Sequence, residues 1–294
     1  MNRDIIFLVN GGAGKNVAAT AVVSAIKKFY RDSNIIVVTG YDEVWYHNPN
    51  IWRVYKFSEI AYFYDNYIQS KNPIIFSHDP YNSEDYILKR KHLIEIWCNL
   101  CGVPYNGEKP YIKFSQLEMK ITEAWASQFN KPLFFLQTNG GAQGQPLNIS
   151  WARDIPLNVA EEIVQKYKDK YTILHIRRED QPSLKNTILH NPSLRELMAT
   201  FLFSSKRLLI DSFPQHLCAA LNLRSTVCWI ANDPTVLGYT IHDNILTSSN
   251  IIQESNKLAF LEKYDITGNS IQFPFSDMEN LFNAKEIVEN LEKH

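Results

Sequence analysis

Residues 207–234 read RLLIDSFPQHLCAALNLRSTVCWIANDP, and the fold follows from their order. Leu208, Leu209 and Ile210 form a short apolar run that ends in Asp211-Ser212. Pro214 comes next, then a compact segment from Gln215 to Leu221, then a β-rich run over residues 226–230. This is the pattern of strand, tight turn, helix and strand, with proline near the first helical position, where its missing N–H leaves no partner wanting. A helix that starts at the carboxyl end of a strand points unpaired N–H groups and its positive dipole end into the crevice above the sheet. Phosphates bind there in open α/β folds. The dipole supplies only about 0.3–2 kcal/mol, so side chains must add to it. Asp211, Ser212 and His216 lie on or beside this turn; the alternative is an ordinary strand–turn–helix with a satisfied core histidine.

Outward from that stretch, the 294 residues suit two domains, 1–130 and 131–294, each long enough to bury a core. Aromatic residues make up 13% and hydrophobic residues 45%, as in globular proteins. With 30 basic against 31 acidic residues, the balance disfavours a nucleic-acid binder. No apolar run approaches the ~18 residues of a membrane span, and MNRDIIFLVN is too short for a signal peptide. Cys98, Cys101, Cys218 and Cys228 do not resemble a disulfide framework. The expectation is a soluble, cytoplasmic protein with at most a peripheral contact with membranes.

The first half opens as a βαβ unit. Residues 4–10 carry the continuous apolar run of a strand buried on both faces. The loop Gly11-Gly12-Ala13-Gly14-Lys15-Asn16 follows, then an amphipathic helix with Ala18, Ala21, Val22, Ala25, Ile26 and Phe29 on one face, then a strand over residues 34–39. The loop is no P-loop, because Asn16 stands where Ser or Thr must hold the metal. It is no dinucleotide fingerprint either, because Val17 occupies the third glycine position. Residues 58–69 and 84–101 have helical length, and residues 115–129 place Leu117, Ile121, Ala124 and Trp125 on one face. Lys89, Arg90, Lys91 and His92 make a cationic turn, either a solvated face or an anchor for an anion. Cys98-x-x-Cys101 lacks further zinc ligands at matching spacing and reads as core. His78 and Asp79 end the short strand 73–76, where they are candidate bases or a plain polar turn into Pro80.

The second half restarts with a strand at 133–137 and the turn Thr138-Asn139-Gly140-Gly141. Arg177, Arg178, Glu179 and Asp180 follow the strand at 171–176. There an arginine forks onto phosphate and an acid accepts from ribose hydroxyls, unless the cluster is only surface charge. Ser193 with Glu196 forms a capping box, and residues 276–293 read as a terminal helix.

Asp211, Ser212, Pro214, His216, Ala219, Ala220 and Pro234 resemble the C-terminal signature of glycosyltransferase family nine, the heptosyltransferase-like enzymes. Phe213 departs from it, standing where the family has glycine. The resemblance extends to the glycine loop, to Asn48-Pro49 and to Ile149-Ser150-Trp151, and covers roughly residues 5–57 and 132–235. It implies an α/β protein with two Rossmann-like domains facing across a cleft, the GT-B arrangement. A sugar, heptose-like or hexose, would pass from a nucleoside-diphosphate donor to a hydroxyl of a glycan or lipid-linked glycan, with inversion and with no metal or other cofactor. On that reading Thr138, Asn139, Gly140, Arg177, Glu179, Asp211, Ser212, Phe213 and His216 meet the donor, with Arg153 replacing a basic residue absent at Ser150. Gly12, Gly14, Lys15 and Asn16 form the acceptor-side loop. The family's basic aspartate is missing from that loop, which leaves Asp79 and His78 as catalytic candidates. The terminal helix is expected to pack back on the first half. Two other readings stay open: a nucleotide-sugar binder without catalysis, and another nucleotide-dependent α/β enzyme whose glycine loop holds the cofactor.

Overall fold

The computed structural model describes residues 3–141, 153–247 and 280–293; Ile149-Ser150-Trp151 and residues 276–279 of the expected terminal helix lie outside them. In chain order the first half contains β1 (Ile5–Val9), α1 (Ala13–Phe29), β2 (Ile35–Thr39), β3 (Arg53–Lys56), α2 (Phe63–Tyr67), β4 (Ile74–Phe76), α3 (Glu84–Ile87), α4 (Leu93–Leu100) and α5 (Gln116–Ala126). The second contains β5 (Leu133–Leu136), α6 (Leu157–Tyr167), β6 (Thr172–His175), β7 (Ile188–Leu189), α7 (Leu194–Thr200), β8 (Ser204–Ile210), α8 (Phe213–Ala220), β9 (Thr226–Trp229), α9 (Pro234–Leu237), β10 (Asp243–Leu246) and α10 (Ala284–Leu291). Among the described residues the strands make two wholly parallel sheets, β3-β2-β1-β4 and β10-β9-β8-β5-β6-β7.

Alternation along the strands fixes the layering, because successive side chains point to opposite faces. Ile5, Phe7 and Val9 face one apolar cluster with Ile35 and Val37, while Ile6, Ile36 and Val38 face another beneath Tyr67. In the second sheet Phe135, Leu209, Val227 and Trp229 join the same cluster as Phe7. Phe134, Leu136, Leu208, Ile210 and Cys228 face the opposite way, toward Ile163 and Ile287. The inner faces of the two sheets thus share one core, with α1, α4 and α8 between them, where the sequence suggested a separate core for each domain.

That shared core explains several departures. α1 is buried almost all round, not amphipathic, since α4 and α8 cover the face its own sheet leaves free. The expected helix over 84–101 is broken into α3 and α4: Lys89 adopts a left-handed φ of 53° and ion-pairs with Asp233 of the other half, while His92 caps α4. The stretch 58–69 yields only α2, entered through left-handed Tyr62. On α5, Leu117 and Ile121 are 68% and 60% exposed, so the start of that stripe faces solvent, while Trp125 at its end packs against the core beside Phe129 and His190. α10 packs on α6, β8 and β9 of the second half, with Ile287 and Leu291 buried and Lys206 Nζ donating to the Leu291 carbonyl. It does not return to the first half. All four cysteines are free and buried, and burial pushes the Cys98 and Cys101 thiols up to about 12.

Candidate functional site

A cavity of about 570 Å³ lies where the carboxyl edges of the two sheets meet. The first half supplies Gly11–Lys15 at the start of α1, with Tyr41, Tyr81 and Tyr86. The second supplies Arg153, Asn232 and the turn from Asp211 to His216. β8 delivers Asp211 to the sheet edge. Ser212, in extended conformation, caps α8, and Phe213 and Pro214 occupy its first turn. The first N–H groups of α8 therefore face the cavity, an anion-seeking end.

Asp211 is buried and accepts from the Asn232 side-chain amide. Burial raises its carboxyl above the ordinary range; Arg153 opposes that shift. Arg153 reaches the same place by crossing Gly140. A Cβ on Gly140 would fall inside the Arg153 stem and lie 3.3 Å from Ile210 Cδ1, so glycine is what lets the arginine lie flat. Its guanidinium donates to the Asp211 carbonyl at 3.4 Å. Beneath it, Asn139 Nδ2 and the Gly140 N–H donate to Asp154 at 2.8 and 2.9 Å, and the Thr138 hydroxyl bonds His175 Nε2 and Asn139. The Thr138–Gly140 turn is thus the footing of Arg153, its side chains spent on the protein itself.

His216 lines the cavity with both ring nitrogens already engaged within the protein. Gln215 Nε2 donates to the Leu237 carbonyl at 3.0 Å and lies 3.1 Å from His216 Nε2. An amide nitrogen can only donate, so Nε2 accepts and Nδ1 carries the proton toward the Tyr239 hydroxyl, 2.9 Å away. Burial, with His92 and His242 nearby, pushes the imidazole down to about 3. It is a neutral ring wedged between the halves: a Cβ on Gly14 would lie 2.9 Å from His216 Cδ2 and 3.3 Å from Phe213 Cα. Gly14 therefore serves the close approach of α1 to α8. At Gly14 α8 fills the space a phosphate would need, while Gly11 and Gly12 stay on the cavity wall.

The other sequence candidates divide. Lys15 is 4% exposed and pairs with Asp79 Oδ2 at 2.8 Å, with its ammonium 4.7 Å from the Tyr81 ring and 5.4 Å from Trp97. A buried ammonium persists only with such partners. Asp79, 38% exposed, also accepts from the Tyr81 N–H at 3.1 Å, so it stands at the cavity through Lys15. His78 is exposed beside Phe76 and outside the cavity lining. Asn16 is fully buried; its Oδ1 accepts from Thr39 at 2.5 Å and Trp45 at 3.1 Å while Nδ2 donates to the Gly12 carbonyl. It fixes the glycine loop from below and does not face the cavity. Arg177 donates to the carbonyls of Arg178, Glu179 and Gln181, and Glu179 is exposed. Neither lines the cavity; Arg178, bonded to the Gly141 carbonyl at 2.8 Å, comes nearer. Sequence reasoning passed over Tyr41, Tyr81, Tyr86 and Asn232. They enter through shared burial across the seam, which no local spacing announces. No group of three metal-ligating side chains occurs among the described residues.

Comparison with solved structures decides the architecture. A family 9 glycosyl transferase from Veillonella parvula superposes with a TM-score of 0.72 at 14% identity, over 100% of this chain and 97% of that one. The chain has the GT-B fold. E. coli heptosyltransferase WaaC with ADP gives 0.59 at 13% identity over 99% of each chain. The iron-containing dodecameric heptosyltransferase TibC in complex with ADP-D-β-D-heptose gives 0.62 at 12% identity over 100% of this chain and 77% of that one. No protein-family model matches the sequence, and no curated protein does. In GT-B terms the cavity lies between the two β/α halves, and the Asp211–His216 turn forms its second-half wall.

Proposed function

We propose that the protein is a glycosyltransferase that moves a sugar from a nucleoside-diphosphate donor to a glycan hydroxyl, with inversion and without a metal. The observation that carries this reading is the meeting, in one cavity, of the α8 N-terminus with Arg153 beside it and the Gly11–Lys15 loop opposite. The solved relatives with ADP and ADP-heptose support a nucleotide-sugar donor. The donor diphosphate lies at the Ser212 hydroxyl and the Phe213 N–H, with Arg153 as counter-charge. As the bond from the anomeric carbon to phosphate breaks, charge grows on the diphosphate, and the helix end and guanidinium stabilise it most at that moment. The acceptor oxygen forms the new bond from the opposite face and passes its proton to Asp79, whose carboxylate Lys15 and the Tyr81 N–H hold in place. A positioned base is worth roughly 10²–10⁴-fold.

A second reading, donor binding without turnover, is favoured by one feature: both Asp79 oxygens already hold partners. Asp79→Asn separates the two. Transfer should fall by roughly 10²–10⁴ with donor binding retained; equal turnover by wild type and variant removes Asp79 as the base. Wild-type binding of a nucleotide sugar without any diphosphate release, with acceptors supplied, establishes the second reading.

A further inference from the structure

On the glycosyltransferase reading, which this inference presupposes, the charge around the first-half wall of the cavity bears on the acceptor. The lysines at and near that wall each have a carboxylate beside them. Lys15 meets Asp79 at 2.8 Å, Lys56 meets Asp42 at 3.4 Å, and Lys89 meets Asp233 at 3.9 Å. In the cationic turn, Arg90 meets Glu84 and Lys91 meets Asp85, both at 2.9 Å. Such pairs add little to stability where exposed, but they cancel each other's field within the Debye length of about 8 Å. Asp79, Glu84 and Asp85 balance Lys89, Arg90 and Lys91 over residues 79–91. Over residues 41–59, Asp42, Glu43 and Glu59 outnumber Arg53 and Lys56, an excess that Lys15 offsets.

In place of charge the wall offers tyrosine. Tyr41, Tyr81 and Tyr86 line the cavity, and the hydroxyls of Tyr81 and Tyr86 make no hydrogen bond among the described residues. Both phenols feel Asp211 and Arg153 of the opposite wall, and burial raises both above the ordinary range, keeping them protonated. The same sheet edge continues outward: the Phe57 N–H bonds the Thr39 carbonyl, and the segment beyond exposes Ile60, Tyr62 and Tyr64. A phenol presents a flat apolar face and a hydroxyl that donates and accepts. That suits a sugar ring with apolar C–H faces and a rim of neutral hydroxyls. A phosphorylated or carboxylated sugar would instead call for a surplus of Arg or Lys able to fork onto it.

We infer that the acceptor is a neutral, unphosphorylated sugar, seated on Tyr41, Tyr81 and Tyr86. The test is saturation-transfer NMR on the full chain without donor, using alkyl and aryl glycosides of neutral hexoses against the matching glucuronides and sugar phosphates, at low and at raised salt. Neutral glycosides should bind at least about tenfold tighter, without response to salt. Tyr41→Ala and Tyr86→Phe should each weaken them several-fold. Asp79→Asn, which frees the Lys15 charge, should bring in glucuronide binding that salt then abolishes. Preference of the wild type for the anionic set, weakening with salt, overturns the inference, as does absence of binding to both sets. Donor hydrolysis is measured separately: neutral glycoside binding without any nucleotide-sugar turnover defeats the catalytic reading and leaves only a neutral-sugar site on the tyrosine wall.

Discussion

Gly14 and Arg153 are the residues on which the site's shape turns. A methyl on Gly14 meets the His216 ring and the Phe213 backbone, neither of which is the free end of a flexible side chain, so α1 and α8 must part. Gly14→Ala is expected to cost about 1–3 kcal/mol, the range for overpacking a well-filled site, and to weaken nucleotide-sugar binding. Urea midpoints and donor titrations check both. Arg153→Ala removes a charge-assisted contact worth about 1.5–3 kcal/mol, so affinity for a nucleoside diphosphate should fall roughly 10- to 100-fold with stability little changed; isothermal titration reads this directly. The Asp-Ser-x-Pro-x-His spacing marks the turn in the sequence, but not the role of His216. Its neutrality depends on Gln215, Tyr239 and the burial that α1 imposes, none of which the spacing contains.

Among elements, α7 and α5 carry the chief polar tie across the seam. Arg195 donates to Glu118 at 2.6 and 3.3 Å, to the Glu43 carbonyl at 3.1 Å and to the Lys113 carbonyl at 2.5 Å. Burial works against the Glu118 carboxylate, yet the Arg195 bond and the Ser115 cap hold its carboxyl down at about 2. Glu118 is part-buried and keeps its Ser115 partner, so losing the Arg195 bonds costs about 1.5–3 kcal/mol, the range for hydrogen bonds to charged groups. Arg195→Ala should therefore lower the urea midpoint sharply; a change below about 1 kcal/mol would mean the clamp is dispensable. The capping box at Ser193/Glu196 was legible because its partners lie three residues apart; the matching box at Ser115/Glu118 was passed over. The break between α3 and α4 was not legible, because Asp233, which meets Lys89, lies more than 140 residues away in sequence. The exposed stripe of Leu117 and Ile121 shows the converse: periodicity marks a helix, but its tertiary neighbours choose which face is buried.

At the scale of the molecule, one core spans both sheets, and the buried histidines make that core sensitive to acid. Burial pushes His175 and His190 down to about 4 and His216 to about 3, against an unfolded value near 6.5. The unfolded chain takes up these protons first, so stability holds above pH ~6.5 and declines as pH falls toward ~4, by up to about 1.4 kcal/mol per pH unit for each histidine. Urea unfolding between pH 8 and pH 5 should show the decline beginning above the carboxylate range; a flat profile to pH 5 would contradict the buried, neutral assignments. The two-sheet α/β architecture was legible from the βαβ order and the continuous apolar strands. The fusion of the two cores was not, since it arises from α1 meeting α8 through Gly14, two segments about 200 residues apart.

A cavity that binds and cleaves a nucleoside-diphosphate sugar, as proposed, must be stabilised by that ligand and must release its diphosphate. This is tested most directly by thermal shift over a panel of nucleoside diphosphates and their sugar conjugates, with released diphosphate followed in parallel and Arg153→Ala alongside. At least one conjugate should raise the wild-type melting temperature, in line with RT ln(1 + [L]/Kd), and be consumed when a neutral glycoside is supplied, with a smaller shift in the variant. If no nucleotide shifts the wild type, the α8 N-terminus is not a diphosphate site, and the GT-B fold here serves another chemistry.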